Sequence, residues 1–195
     1  MMTLVMTYWW TIIPVLMLVF YKLFFRLFGI IIIPEDKIGL VTKKFVLFGK
    51  SELPPGRIIA VEGEAGFQAQ TLAPGIYFWK WIWQFEITMQ PLTIIPQGKI
   101  GLLVAKDGKE LETGHILARK VECDGFQDTV AFLTKGGRKG RQSAHITAGT
   151  YRINTFLFEI FTVDMFTVNE NMVGIVTTLD GMPIEEGSIA GKNIQ

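Results

Sequence analysis

The sequence predicts an α+β, β-rich protein: an N-terminal transmembrane helix followed by tandem antiparallel sheet modules with a short helix. Three observations predict it. Residues 4–21, LVMTYWWTIIPVLMLVFY, carry no charged side chain. IIIPEDKIGLV at 31–41 recurs as TIIPQGKIGLLV at 93–104. The second copy runs into KIGLLVAKDGKEL, where aliphatic residues flank an Asp-Gly pair, a hairpin signal because both turn positions favour positive φ.

A hydrocarbon core about 30 Å thick is spanned by roughly 20 helical residues, so the uncharged run reads as a span rather than a signal-peptide core of about 7–15 residues. Met1 to Trp10 has no Lys or Arg, and Lys22 to Ile33 offers no A-x-A cleavage site. Lys22, Arg26, Lys37, Lys43 and Lys44 all follow the run. The positive-inside rule therefore predicts a single-pass protein with its C-terminal body in the cytoplasm. Tyr8, Trp9 and Trp10 are expected at headgroup level at one end, with Lys22 and Arg26 reaching outward at the other. LFFRLFG reads as interfacial helix continuing the span, and Gly29 as its stop.

The rest divides by internal repetition: 1–30 anchor, 31–93 first unit, 94–167 second unit, and 168–195 the start of a third. Gly39 answers Gly101, and VNENMVGIV at 168–176 brings Gly174 into the same place. GFQ (66–68 and 125–127), PGIY against AGTY, and FEI (85–87 and 158–160) follow in the same order. Phe67 to Gly75 set against Phe126 to Gly149 places an insertion of about 15 residues in the second unit. The exception to β structure is DGFQDTVAFLTKGG, with Phe126, Val130 and Leu133 at helical spacing; Asp124 is the expected cap, Gln127 the capping-box partner, and Gly136 with Gly137 the stop. From Ile76 to Ile87 strict alternation puts Tyr77, Trp79, Trp81, Trp83, Phe85 and Ile87 on one face of an expected strand.

Composition and motifs exclude more chemistry than they suggest. Nineteen Lys and Arg against eighteen Asp and Glu leave a formal charge of +1, so no global field gathers nucleic acid. The single cysteine, Cys123, rules out an internal disulfide framework. Neither His115 nor His145 forms a thiol-protease signature with it, and Ser143, His145 and Asp164 lack a nucleophile elbow. One cysteine and two histidines lack metal-ligand spacing, and GGRKGR is not a P-loop. No catalytic, metal or cofactor residue is expected, and the chain is not expected to be an enzyme.

These residues resemble a known family. A membrane helix followed by strands of the form IPxGxxGxV and by LAPGIYFWKWIWQFEI is similar to the opening of an SPFH domain, the band-7 fold of stomatins, prohibitins and flotillins. GFQDTVAFLTKGGRKGRQ and AGTYRINTFLFEI resemble signatures of bacterial flotillin-like proteins. The resemblance implies SPFH-like sheet modules and a bacterial plasma (inner) membrane location. It also implies a scaffold that oligomerises on the membrane and organises lipid microdomains and client membrane proteins, with lipids and further copies of itself as partners and no nucleic acid. The alternative is a regulatory adaptor that binds one membrane protease or transporter without large assembly. The chain carries no sustained a/d heptads, so the family's coiled-coil assembly does not transfer directly, whether it is a truncated product or a short member.

Two surfaces stand out as candidate sites. Trp79, Trp81 and Trp83 read either as sheet core or as a face lying in the headgroup region. Lys135, Arg138, Lys139 and Arg141, interleaved with glycines in the insertion, read as a lipid contact, a contact between subunits, or a solvated turn.

Overall fold

The computed structural model describes residues 2–47, 52–175 and 180, without the side chains of 2–9, 12, 22 and 24. The apolar N-terminus folds as two helices, α1 (Met2–Val19) and α2 (Tyr21–Leu27), separated at Phe20. No helix among the described residues is long and apolar enough to cross a membrane. That overturns the expected transmembrane helix and, with it, the single-pass placement of the body. The physical reason is the break: 18 residues at about 1.5 Å each rise about 27 Å, short of a core of about 30 Å. Thr3, Thr7 and Thr11 dilute the run further, and Pro14 inside α1 removes a backbone donor.

Gly29 ends α2 as expected. Ile30 N–H donates to Phe25 C=O (2.8 Å) and Gly29 N–H to Arg26 C=O (3.2 Å), the paired bonds of a Schellman cap, with Gly29 at φ 72°.

The chain forms two compact units, Met1–Thr93 with Tyr151–Phe156, and Ile94–Thr150 with Leu157–Gln195. The first contains β1 (Ile31–Ile33), β2 (Lys37–Lys43), β3 (Ile59–Ala60), β4 (Gly66–Leu72), β5 (Gly75–Tyr77) and β6 (Phe85–Pro91). Its main sheet runs β3-β4-β2-β6, antiparallel except for β3 against β4, and β1 pairs separately with β5. β7 (Thr93–Ile95), β8 (Lys99–Ala105), α3 (Thr129–Thr134), β9 (Gly140–Ile146), β10 (Gly149–Tyr151) and β11 (Phe158–Asp164) follow. β11-β8-β9 form one antiparallel sheet and β7 pairs with β10. The pairing scheme thus repeats, even to a register shift between Leu40 and Thr42 in β2 and between Leu102 and Val104 in β8.

The repeated glycine is where each sheet closes on its core. A Cβ on Gly39 would lie 2.6 Å from Ile33 Cδ1 and 3.2 Å from Leu72 Cβ; one on Gly101 would lie 2.6 Å from Ile146 Cγ1 and 3.1 Å from Ile95 Cδ1. Ile33, Val41 and Leu72 make the first core, with Tyr77, Phe85 and Ile87 against it. Asn154, fully buried, donates to the carbonyls of Gln68 and Ala69 while its Oδ1 accepts from Phe156 N–H. The second unit buries a ring cluster, Phe126, Phe132 and Phe158, with the α3 ring Phe132 edge-on to Phe158 at 5.0 Å.

The cap of α3 differs from expectation. Asp124, Gly125 and Phe126 all have positive φ (50°, 58° and 66°), which no right-handed helix accommodates. Asp128 caps instead, accepting from Ala131 N–H at 2.9 Å. Residues 165–175 form no strand, and of the remainder of the third repeat only Asp180 is described.

Overpacking a core costs about 1–3 kcal/mol when the neighbours cannot yield. Ile33 Cδ1 is a side-chain tip that χ2 alone can move away, whereas Ile146 Cγ1 moves only if χ1 turns the whole β-branched side chain. Denaturant unfolding should therefore show Gly101→Ala destabilising more than Gly39→Ala; equal or reversed losses would contradict this packing.

Candidate functional site

The region after β5 carries the aromatic candidate site. Alternation predicts one strand from Ile76 to Ile87, yet β5 ends at Tyr77 and β6 starts at Phe85. The interruption is tertiary: Gly29 C=O, left open by the end of α2, accepts Lys80 N–H at 2.9 Å. The approach is close enough that a Cβ on Gly29 would lie 3.0 Å from Lys80 N. Trp79 takes φ 63°, a left-handed conformation that costs a bulky residue about 1–2 kcal/mol. A helical turn then returns the chain, with Phe85 N–H donating to Trp81 C=O at 2.7 Å and Lys44 N–H to Gln84 C=O at 2.8 Å.

This loop displays its rings. Trp79 is 75% exposed and Trp83 50%, with Trp81 half-buried between them; they are not sheet core. Trp79–Trp81 and Trp81–Trp83 centroids are each 6.1 Å apart, and Phe45 stacks on Trp83 at 5.9 Å. Phe45 is absent from the sequence reading, since nothing in its neighbourhood signals a partner nearly forty residues away. The described side chains of α1 and α2 leave large apolar residues in solvent, Leu18 being 78% exposed. Of the expected interface residues, Trp10 and Arg26 are exposed; Tyr8 and Trp9 lie in α1 and Lys22 in α2, with side chains outside the described set.

The basic insertion is turned largely onto its own chain. Lys109 and Arg138 form a parallel bridge, with Lys109 N–H donating to Gly137 C=O and Lys139 N–H to Lys109 C=O. That places Arg138 against the Glu112 carboxylate (2.6 Å) and the Glu110 carbonyl (2.6 Å), and Lys139 against the Glu110 carboxylate (2.8 Å). Lys135 donates to Glu122 C=O at 3.0 Å, while Arg141 is exposed on β9. Glu112 also meets Arg119 at 3.1 Å. Asp180 Oδ2 accepts the N–H of Leu117 (2.8 Å) and of Ile116 (3.2 Å), and these bonds hold its carboxyl below the usual aspartate range. Sequence spacing carries no trace of that contact. Cys123 is buried, and burial pushes its thiol up, away from a reactive thiolate. Among the described residues no group of three or more His, Cys, Asp or Glu side chains could hold a metal.

No family model, curated protein or solved structure matches this chain. The likeness to SPFH proteins therefore rests on the motifs themselves.

The hydrogen bond and charge of Lys139 hold the Glu110 carboxyl below the ordinary glutamate value. A depressed folded value makes the pair's small contribution present above the unfolded glutamate pKa and lost as pH falls through the folded one. Carboxyl NMR should find Glu110 titrating below ordinary glutamates and returning upward in Lys139→Gln; no difference between the two proteins would remove this ion pair.

Proposed function

We propose that this protein is a non-enzymatic SPFH-like scaffold that lies on a membrane surface, assembles with further copies of itself, and organises lipid microdomains and client membrane proteins. The observation that carries the reading is the exposed apolar surface of the first unit, where α1, α2 and the Trp79–Trp83 loop leave large side chains in solvent. Monomeric soluble proteins rarely expose apolar patches this extensive, and tryptophan favours the headgroup zone, where its ring is apolar and its N–H stays wet. Helices too short to cross still bind a bilayer by lying in its interface. Arg138 and Lys139 are already paired with Glu112 and Glu110, which supports apolar burial over the basic insertion as the source of attachment.

Self-assembly draws support from β11. It lies at the edge of its sheet with Phe161 and Val163 exposed, and Met165 and Phe166 continue that apolar run. An edge strand of this kind is a template for pairing with another chain.

Two measurements on the full chain test the reading. Vesicle flotation should show association that survives high salt, and Trp79→Ser with Trp83→Ser should weaken it at least tenfold, as expected from losing on the order of 1.5–3 kcal/mol of ring burial, with circular dichroism unchanged. The detergent-extracted wild type should have the mass of a large homo-oligomer. A salt-sensitive or absent association would contradict the membrane surface, and a monomeric mass would favour the adaptor reading.

A further inference from the structure

The first unit contains a cavity of about 600 Å³, within the range of about 300–1,000 Å³ typical of small-molecule sites. The sequence builds its walls from three elements. α2 supplies Tyr21 and Phe25, one helical turn apart and edge-to-face at 6.1 Å. β6 supplies Phe85, Ile87 and Met89, every second residue and so one face of the strand. β1 supplies Ile31, and the Gly29–Lys80 hydrogen bond fixes the end of α2 against the loop that precedes β6.

Two cations, Arg26 and Lys80, stand in this otherwise apolar lining, and among the described residues no acidic side chain does. Neither makes an ion pair among the described residues. The Lys80 ammonium sits 4.7 Å from the Phe85 ring centroid, half-buried. Burial and then the charge of Lys43 lower its pKa, the direction expected of a partly desolvated amine with another cation nearby and one that an anionic ligand would reverse. An apolar trough whose wall carries two cations with no acidic partner among the described residues is complementary to one kind of molecule: a long hydrocarbon with an anionic end.

We propose that this cavity binds the acyl chain of a long-chain fatty acid, its carboxylate held by Lys80 and Arg26. The ligand chemistry deepens the membrane-surface reading but does not require it, since a fatty acid can reach the site from a bilayer or from solution. Met89, 43% exposed at the edge strand, rims the cavity and is a position where a larger side chain blocks the trough without entering the Ile33–Leu72 core.

The test uses the full chain in non-ionic detergent at fixed concentration, titrated with a fluorescent C16 fatty acid and with its methyl ester. Wild type should bind the acid at least tenfold more tightly than the ester. Lys80→Gln with Arg26→Gln should abolish that preference while retaining ester binding. Met89→Trp should weaken both ligands at least tenfold with unchanged circular dichroism. Equal affinity of wild type for acid and ester, or binding indifferent to Met89→Trp, overturns the site. Vesicle flotation of the same variants separates the two readings: flotation retained without a preference for the acid fails this proposal alone, whereas acid-selective binding without flotation fails only the membrane-surface reading.

Discussion

The structure depends on the absence of a side chain at one position in each repeat. Gly39 on β2 and Gly101 on β8 stand opposite Leu72 and Ile146 in the ladder, and those side chains occupy the volume a Cβ would fill. The isoleucines of β1 and β7, Ile33 and Ile95, enter the same space, so the short strand preceding each sheet is fastened by the gap the glycine leaves. In the first unit this fixes β1 against the core that Val41 and Leu72 build. Because β1 pairs with β5, it also fixes where β5 ends and the tryptophan loop begins.

From that frame the aromatic surface follows by a second constraint, the end of α2. The Schellman cap at Gly29 leaves a carbonyl directed at the loop, and Lys80 N–H takes it. The chain accepts a left-handed tryptophan at 79 in consequence, and the exposed Trp79 and Trp83 are outcomes of that single hydrogen bond. A strand would have hidden one whole face of these rings; of the three tryptophans the loop hides only Trp81, and that in part. Strain persists where surrounding structure over-determines it, and here it raises a ring into solvent.

The β-rich part of the fold was legible because its signals are local. KIGLVTK and KIGLLVA are strands with the bounds their β-branched runs suggest, and the FEI segments begin their partners. Glycine repeats reflect backbone requirements that neighbours in sequence carry, but the expected hairpin at Asp107-Gly108 does not form: Asp107 lacks positive φ and Lys109 bridges Arg138 instead of returning along β8. What escaped was decided by distant residues. The apolar run at the N-terminus has a span's composition but not its continuity, and hydropathy does not register a break at Phe20. The alternation of Ile76 to Ile87 is a true strand pattern overridden by a carbonyl some fifty residues upstream. Arg138 and Lys139 of the insertion looked available because their acidic partners, Glu112 and Glu110, lie in another segment. Asp124 was a reasonable cap until three consecutive positive φ values moved the helix start to Asp128 and Thr129.

The central claim is that the first unit rests on a bilayer through its tryptophan loop, at the depth of the headgroups and upper acyl chains. Tryptophan quenching in a Trp9→Phe, Trp10→Phe protein bound to vesicles containing lipids brominated at graded depths along the chain reads that depth directly. The account predicts strongest quenching by the shallowest bromines, little by those near the chain ends, and protection from aqueous iodide on vesicle binding. Unchanged iodide access with no bromine quenching at any depth would contradict it.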